Sequence, residues 1–89
     1  MTIVINALIW DEWNKEHIAR HGVTPEEVEE VCHRNPQNFE SYKKRVIIVG
    51  KTKSGKKLTI VLSDEDRNRQ PYKIGSYYVI TAFQKEVTL

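Results

Sequence analysis

Two β-branched runs, R-V-I-I-V-G-K-T at 45–52 and K-L-T-I-V-L-S at 57–63, flank the short connection K-S-G-K. That pattern is a strong hairpin signal. Val46 and Ile48 alternate with Ile47 and Val49, so both faces of the first run are largely apolar and the hairpin must lie inside a sheet, with strands on either side. Gly50 interrupts the run and predicts a bulge or a close backbone approach. A further strand, Y-Y-V-I-T-A-F-Q, closes the chain, with Tyr77, Val79, Thr81 and Phe83 expected on one face and Tyr78, Ile80 and Ala82 on the other. The apolar residues 2–9 read as an opening strand buried on much of both faces.

Between these strands the period changes to that of helices. In W-D-E-W-N-K-E-H-I-A-R-H-G-V, residues 10–23, Asp11 is an N-cap, Glu12 suits the positive end of the dipole, and Gly22 ends a helix predicted from Glu12 to His21. Trp10, Asn14 and Ile18 fall in one row of that helix, Trp13, His17 and His21 in another; the tryptophans and Ile18 are expected in the core. A second helix starts at T-P-E-E-V, with Thr24 as N-cap, Pro25 in the first turn and Glu27 completing a capping box. Val23 and Val28 fit a hydrophobic staple. Val28, Val31 and Cys32 form its apolar stripe, and Glu26, Glu27, Glu29 and Glu30 its solvated face. Pro36 prevents continuation. The expected fold is α+β, β-α-α-β-β-β, with two N-terminal helices packed on a mainly antiparallel sheet and a short extra strand at 38–42. Eighty-nine residues form a single domain, 1–89, and D-E-D-R-N-R-Q-P is a polar loop.

Charge is segregated along the chain. Residues 1–40 carry three Lys/Arg against eight Asp/Glu, and residues 41–89 carry eleven against four. Lys43, Lys44, Arg45, Lys51, Lys53, Lys56 and Lys57 occupy a fifteen-residue window without an acid. A polyanion would find that end attractive. No apolar run is long enough to span a bilayer and the N-terminus lacks a basic signal-peptide region, so a cytoplasmic protein without membrane association is expected. The lone Cys32 reads as a small buried hydrophobe.

His17 and His21, four residues apart, have metal-ligand spacing. Ile18 replaces the glutamate of the H-E-x-x-H motif, and His33 would have to arrive through the fold, so no metal or other cofactor is expected. Metal-free RNA cleavage needs a group to take the 2′-hydroxyl proton, charge to stabilise the phosphorane, and a proton for the leaving oxygen. His21 or His17 suits the first task, imidazole being the side chain that ordinarily ionises near neutral pH. Arg20, Lys51, Arg67 and Arg69 are candidates for the second. Tyr78 or Tyr77 is placed to stack on a base, and Lys53, Lys56 and Lys57 to hold the RNA backbone. The preferred set is His21 for proton transfer with Arg20 and Lys51 on the phosphate. DNA binding by this chain alone is disfavoured, because neither helix has a basic face.

The segment W-D-E-W-N-K-E-H-I-A-R-H-G-V-T-P-E-E-V, followed by V-I-I-V-G-K-T-K-S-G-K-K-L-T-I-V-L and Y-Y-V-I-T-A, resembles the BrnT family of type II toxin–antitoxin toxins over nearly the whole chain. Trp10, Asp11, Arg20, His21 and Gly22 match its opening motif, and Lys51 its basic residue after the hairpin glycine. The resemblance implies a compact RelE-like fold and a metal-independent ribonuclease, a hydrolase. It further implies neutralisation by a ribbon-helix-helix antitoxin of the BrnA kind, with DNA contacted only through that antitoxin. One departure stands out: Phe83 occupies the place where the family usually has an arginine. Arg67 or Arg69, in a loop longer than the family's, could replace it. The alternative is a non-catalytic RNA- or protein-binding module of the same fold, its site weakened at Phe83.

Overall fold

A computed structural model describes residues 5–34, 39–42, 45–66 and 68–84. The elements run β1 (Ala7–Ile9), α1 (Glu12–Ala19), α2 (Pro25–Arg34), β2 (Phe39–Tyr42), β3 (Arg45–Lys51), β4 (Lys57–Ser63) and β5 (Ser76–Gln84). They form a five-stranded sheet in the order β1-β5-β4-β3-β2, antiparallel except for the parallel pair β1 and β5. The α+β class and the mainly antiparallel sheet are as expected, and the short strand near 38–42 forms as β2.

Both helices cover one face. Ile18 of α1, Val28, Val31 and Cys32 of α2, and Val23 between them pack against Ile48, Leu58, Ile60, Leu62, Val79 and Ala82. The β3–β4 register explains this inward set: Val46 pairs with Leu62, Ile48 with Ile60 and Gly50 with Leu58, and paired residues share a face. The register passes through Gly50 without a shift, so the expected bulge does not form there.

The bulge lies in β5. Val61 pairs with Thr81 and Leu62 with Val79, leaving Ile80 as the extra residue. One extra residue inverts the alternation, so Val79 and Ala82 are both fully buried under the helices. The two-residue period expected across Tyr77–Phe83 is therefore broken. As a result, Tyr78, Thr81 and Phe83 share the face away from the core, with their partners Ser63, Val61 and Thr59.

Of the opening strand expected at 2–9, residues 2–4 lie outside the described residues, and the remainder is less buried than predicted. Among the described residues only Ala7–Ile9 pair, at the sheet edge, with Ala7 exposed. Its start is fixed by Gly75, whose carbonyl accepts from the N–H groups of Asn6 (2.8 Å) and Ala7 (3.1 Å). Gly75 has φ +85°, and an added Cβ would lie 2.9 Å from Asn6 Cγ, so two constraints require glycine. β1 stops opposite Tyr78. From there α1 runs along β5 in its place.

Helix α1 begins as the sequence predicts, with one addition. Asp11 Oδ1 accepts from Asn14 N–H at 2.9 Å, and Asn14 Oδ1 accepts from Asp11 N–H at 2.9 Å, forming a reciprocal box. Asn14 also donates to the Ile9 carbonyl, locking strand to helix. The helix ends at Ala19, two residues early, with Arg20 as C-cap and Gly22 at φ +74°. In α2 the capping box is present: Glu27 N–H donates to Thr24 Oγ1 and Thr24 N–H to Glu27 Oε1.

Candidate functional site

The glutamates of α2 are not simply a solvated face. Lys56 Nζ donates to Glu27 Oε1 at 3.1 Å and to the Gly22 carbonyl. Lys53 N–H donates to Glu30, and Glu29 joins Trp10 Nε1 (2.8 Å) to His33 Nε2 (2.8 Å). The acidic first half and the basic second half of the chain thus partly neutralise one another. Burial works to raise the Glu27 pKa, but the Thr24 backbone N–H and the Lys56 ammonium outweigh it and hold this carboxyl below its ordinary value. Cys32 is buried, and desolvation with the nearby Glu29 pushes its thiol up to about 12.

The face away from the helices is bordered by α1. At the N-terminal end of α1, Tyr78 Oη donates to the Asp11 carboxylate, 3.1 and 3.0 Å from its two oxygens. Beyond the C-terminal end, the His21 ring lies 6.3 Å from Phe83 and 5.3 Å from His17, edge-on to each. The position where the family resemblance places an arginine therefore stands beside His21, occupied by an aromatic ring.

A cleft of about 890 Å³ opens at the Tyr78 end. Trp13, Asn14 and His17 of α1, with Asp11 at its start, form one wall, Arg45, Ser63, Tyr78 and Ile80 of the sheet its floor, and Glu65, Asp66, Asn68, Arg69 and Tyr72 the other wall. Asp66 shapes that loop. Its carboxylate accepts from Asn68 N–H (2.8 Å) and Gln70 N–H (2.9 Å), and its carbonyl from Arg69 N–H. Arg69 consequently sits at φ 60°, a left-handed conformation that non-glycine residues adopt at a cost of about 1–2 kcal/mol. The loop therefore fixes the Arg69 backbone at the rim of the cleft, with the residue itself exposed. Neither Arg45 nor Arg69 has an ion-pair partner among the described residues.

The sequence-predicted site divides accordingly. Tyr78 and Arg69 line the cleft; Arg67 lies outside the described residues. Arg20 is on the outer surface, paired with Glu16 at 3.1 Å with both side chains about seven-tenths exposed. Lys51 and Lys57 face one another across the far end of the hairpin, with Lys53 in the turn. Arg45 starts β3 and Lys51 ends it, so roughly 20 Å separates Lys51 from the cleft. Of the preferred set, Arg20 is turned to Glu16, while His21 stands beside Phe83, whose partner Thr59 is two residues from Lys57, the residue opposite Lys51. Lys56 is a bridge between hairpin and helix rather than an open contact.

Sequence reasoning named His17 beside His21 and preferred His21, whereas His17 is the histidine that lines the cleft; it missed Trp13, Tyr72 and Arg45 as site residues. Trp13, expected in the core, is 72% exposed. Asp11 starts α1 one residue after Trp10, so the buried row is Trp10, Asn14 and Ile18, and Trp13 turns toward the sheet's open face. No grouping of three or more His, Cys, Asp or Glu able to hold a metal occurs among the described residues, and no described helix is long and apolar enough to cross a membrane.

Fold and site together define a small α+β domain with one helix-covered sheet face and one open face bearing a polar, arginine-bordered cleft. Comparison with protein-family models, with curated proteins and with solved structures gives no match.

Proposed function

We propose that this chain is the toxin of a type II toxin–antitoxin system, a metal-independent endoribonuclease with a RelE-like fold, neutralised in the cytoplasm by a ribbon-helix-helix antitoxin. The observation that carries the reading is the open sheet face. His17 and His21 line one border, Arg45 and Arg69 stand at one end, and Lys51 and Lys57 at the other. An RNA strand laid along that face would meet cations at both ends and imidazoles at its side. In this arrangement His17 takes the 2′-hydroxyl proton, the 2′-oxygen bonds to phosphorus as the P–O5′ bond breaks, and the 5′-oxygen leaves with a proton from water, giving a 2′,3′-cyclic phosphate and a 5′-hydroxyl, while Arg45 and Arg69 hold the phosphate as charge builds on it. Tyr78, anchored by Asp11, supports the nucleotide from below.

The test is growth on induced expression, with the purified protein incubated with total RNA in EDTA. Arrest and chelator-resistant cleavage support the toxin reading. The contact of Phe83 with His21 favours a second reading, a non-catalytic RNA- or protein-binding module, because it replaces the cation the resemblance would place there. No cleavage by the wild type, with activity appearing in Phe83→Arg, would select that module.

A further inference from the structure

His17 of α1 and His21 in the turn that ends it stand four residues apart, and both are exposed. Their ring centres are 5.3 Å apart, with the ring planes 74° from one another. A tetrahedral ion held at about 2.0–2.1 Å by one nitrogen of each imidazole would set the ring centres about 5 Å apart, so the observed separation is already that of a shared ion. Exposed rings turn readily about the Cβ–Cγ bond to bring those nitrogens to one point. The surroundings tolerate a cation. Arg20 is turned to Glu16, and the ring beside His21, 6.3 Å away, is the uncharged Phe83. Lys57 stands two residues along β4 from Thr59, the partner of Phe83, and Lys51 stands opposite it. Their repulsion of a dication, partly screened by solvent, works against tight binding without preventing it.

We propose that His17 and His21 form a two-histidine site for a divalent late transition ion such as zinc, and that the bound ion switches off proton transfer by His17. Neutral imidazole suits such ions, whereas magnesium and calcium prefer oxygen ligands. No third His, Cys, Asp or Glu completes a cluster with the pair among the described residues. Water therefore fills the other positions, and the ion is an exchangeable inhibitor rather than a structural centre or a cofactor of the reaction. A neutral imidazole has one lone pair. The pair that would accept the 2′-hydroxyl proton is the one a metal occupies, so His17 cannot do both. The switch rests on the ribonuclease reading; the site itself does not. Half the ligands of a structural zinc centre correspond to a dissociation constant of roughly 1–200 µM.

The experiment uses the untagged chain, stripped of metal with EDTA and dialysed free of the chelator. Zinc chloride, with magnesium chloride as the control, is titrated calorimetrically into the wild type, His17→Ala, His21→Ala and His33→Ala. His33, held by Glu29, is the remaining histidine. Circular dichroism confirms that each variant is folded. The wild type and His33→Ala are expected to bind one zinc ion and no magnesium, and each of the other two variants to lose at least about tenfold in affinity. Zinc binding that keeps its affinity in His17→Ala or His21→Ala, that disappears in His33→Ala, or that is undetectable in the wild type at about 1 mM overturns the site. Cleavage of total RNA by the wild type is expected to fall at least about tenfold in saturating zinc and to return with EDTA. Cleavage untouched by bound zinc overturns the switch. A wild type that binds zinc but never cuts RNA overturns the ribonuclease reading and leaves the site standing.

Discussion

Removing the Lys56 ammonium should lower stability and leave RNA binding unchanged, although this residue belongs to the most basic stretch of the chain. Lys56 ties the β3–β4 turn to both helices through Glu27 and the Gly22 carbonyl, with the two charged side chains only 21% and 23% exposed. An exposed ion pair contributes about 0.2–1 kcal/mol, and this pair should fall near the upper end. A hydrogen bond from a charged donor adds about 1.5–3 kcal/mol. Lys56→Met keeps much of the apolar stem, so a net loss of about 2 kcal/mol is expected. For a domain of this size that corresponds to a melting-temperature drop of roughly 8–16 °C. Urea denaturation of Lys56→Met, Glu27→Gln and the double variant should yield a coupling of about 0.5–1 kcal/mol at pH 7; glutamine preserves the capping box. Glu27 has a depressed pKa when folded, so its contribution is complete above its ordinary value of 4.5 and is lost as pH falls through the lower folded value. A stability change below about 0.5 kcal/mol, or a coupling unaltered well below pH 4, would refute this account of the bridge. So would RNA affinity that falls with a shallower salt dependence in Lys56→Met.

Gly75→Ala should cost at least about 1–3 kcal/mol in chemical denaturation, because it combines a positive φ with a clash against Asn6; a neutral result would remove the reason given for glycine there. Asp11→Ala removes an N-cap and the partner of Tyr78 and should cost about 1–2 kcal/mol, with Asp11→Asn recovering most of it in the same assay. Cys32 should resist alkylation by iodoacetamide at pH 8 in the folded protein and react promptly in urea, since burial pushes its thiol up to about 12; mass spectrometry reads both states.

Local signals in the sequence translated directly where they were backbone chemistry. Thr24, Pro25 and Glu27 open α2, Asp11 opens α1, Gly22 follows its end, and the β-branched runs pair as a hairpin. These features depend on neighbours a few residues apart. The bulge at Ile80 does not, because it is set by how β5 registers against β4, and it decided which side Tyr78 and Phe83 face. Trp13 was misplaced for a related reason: amphipathic spacing groups residues into rows without saying which row meets the sheet. The basic stretch 43–57 looked like one patch because charge was read along the chain. Across the fold, Arg45 and Lys51 stand at opposite ends of a strand, and Lys56 is turned back onto α2.

The most direct test of the central claim, that the chemistry belongs to the cleft on the open sheet face, is cleavage of total RNA in EDTA by four proteins. These are the wild type, His17→Ala, Arg45→Ala and Arg20→Ala. The account predicts cleavage by the wild type, a loss of at least about a hundredfold in His17→Ala and Arg45→Ala, and nearly full activity in Arg20→Ala. Activity that survives in His17→Ala and Arg45→Ala but disappears in Arg20→Ala would contradict it.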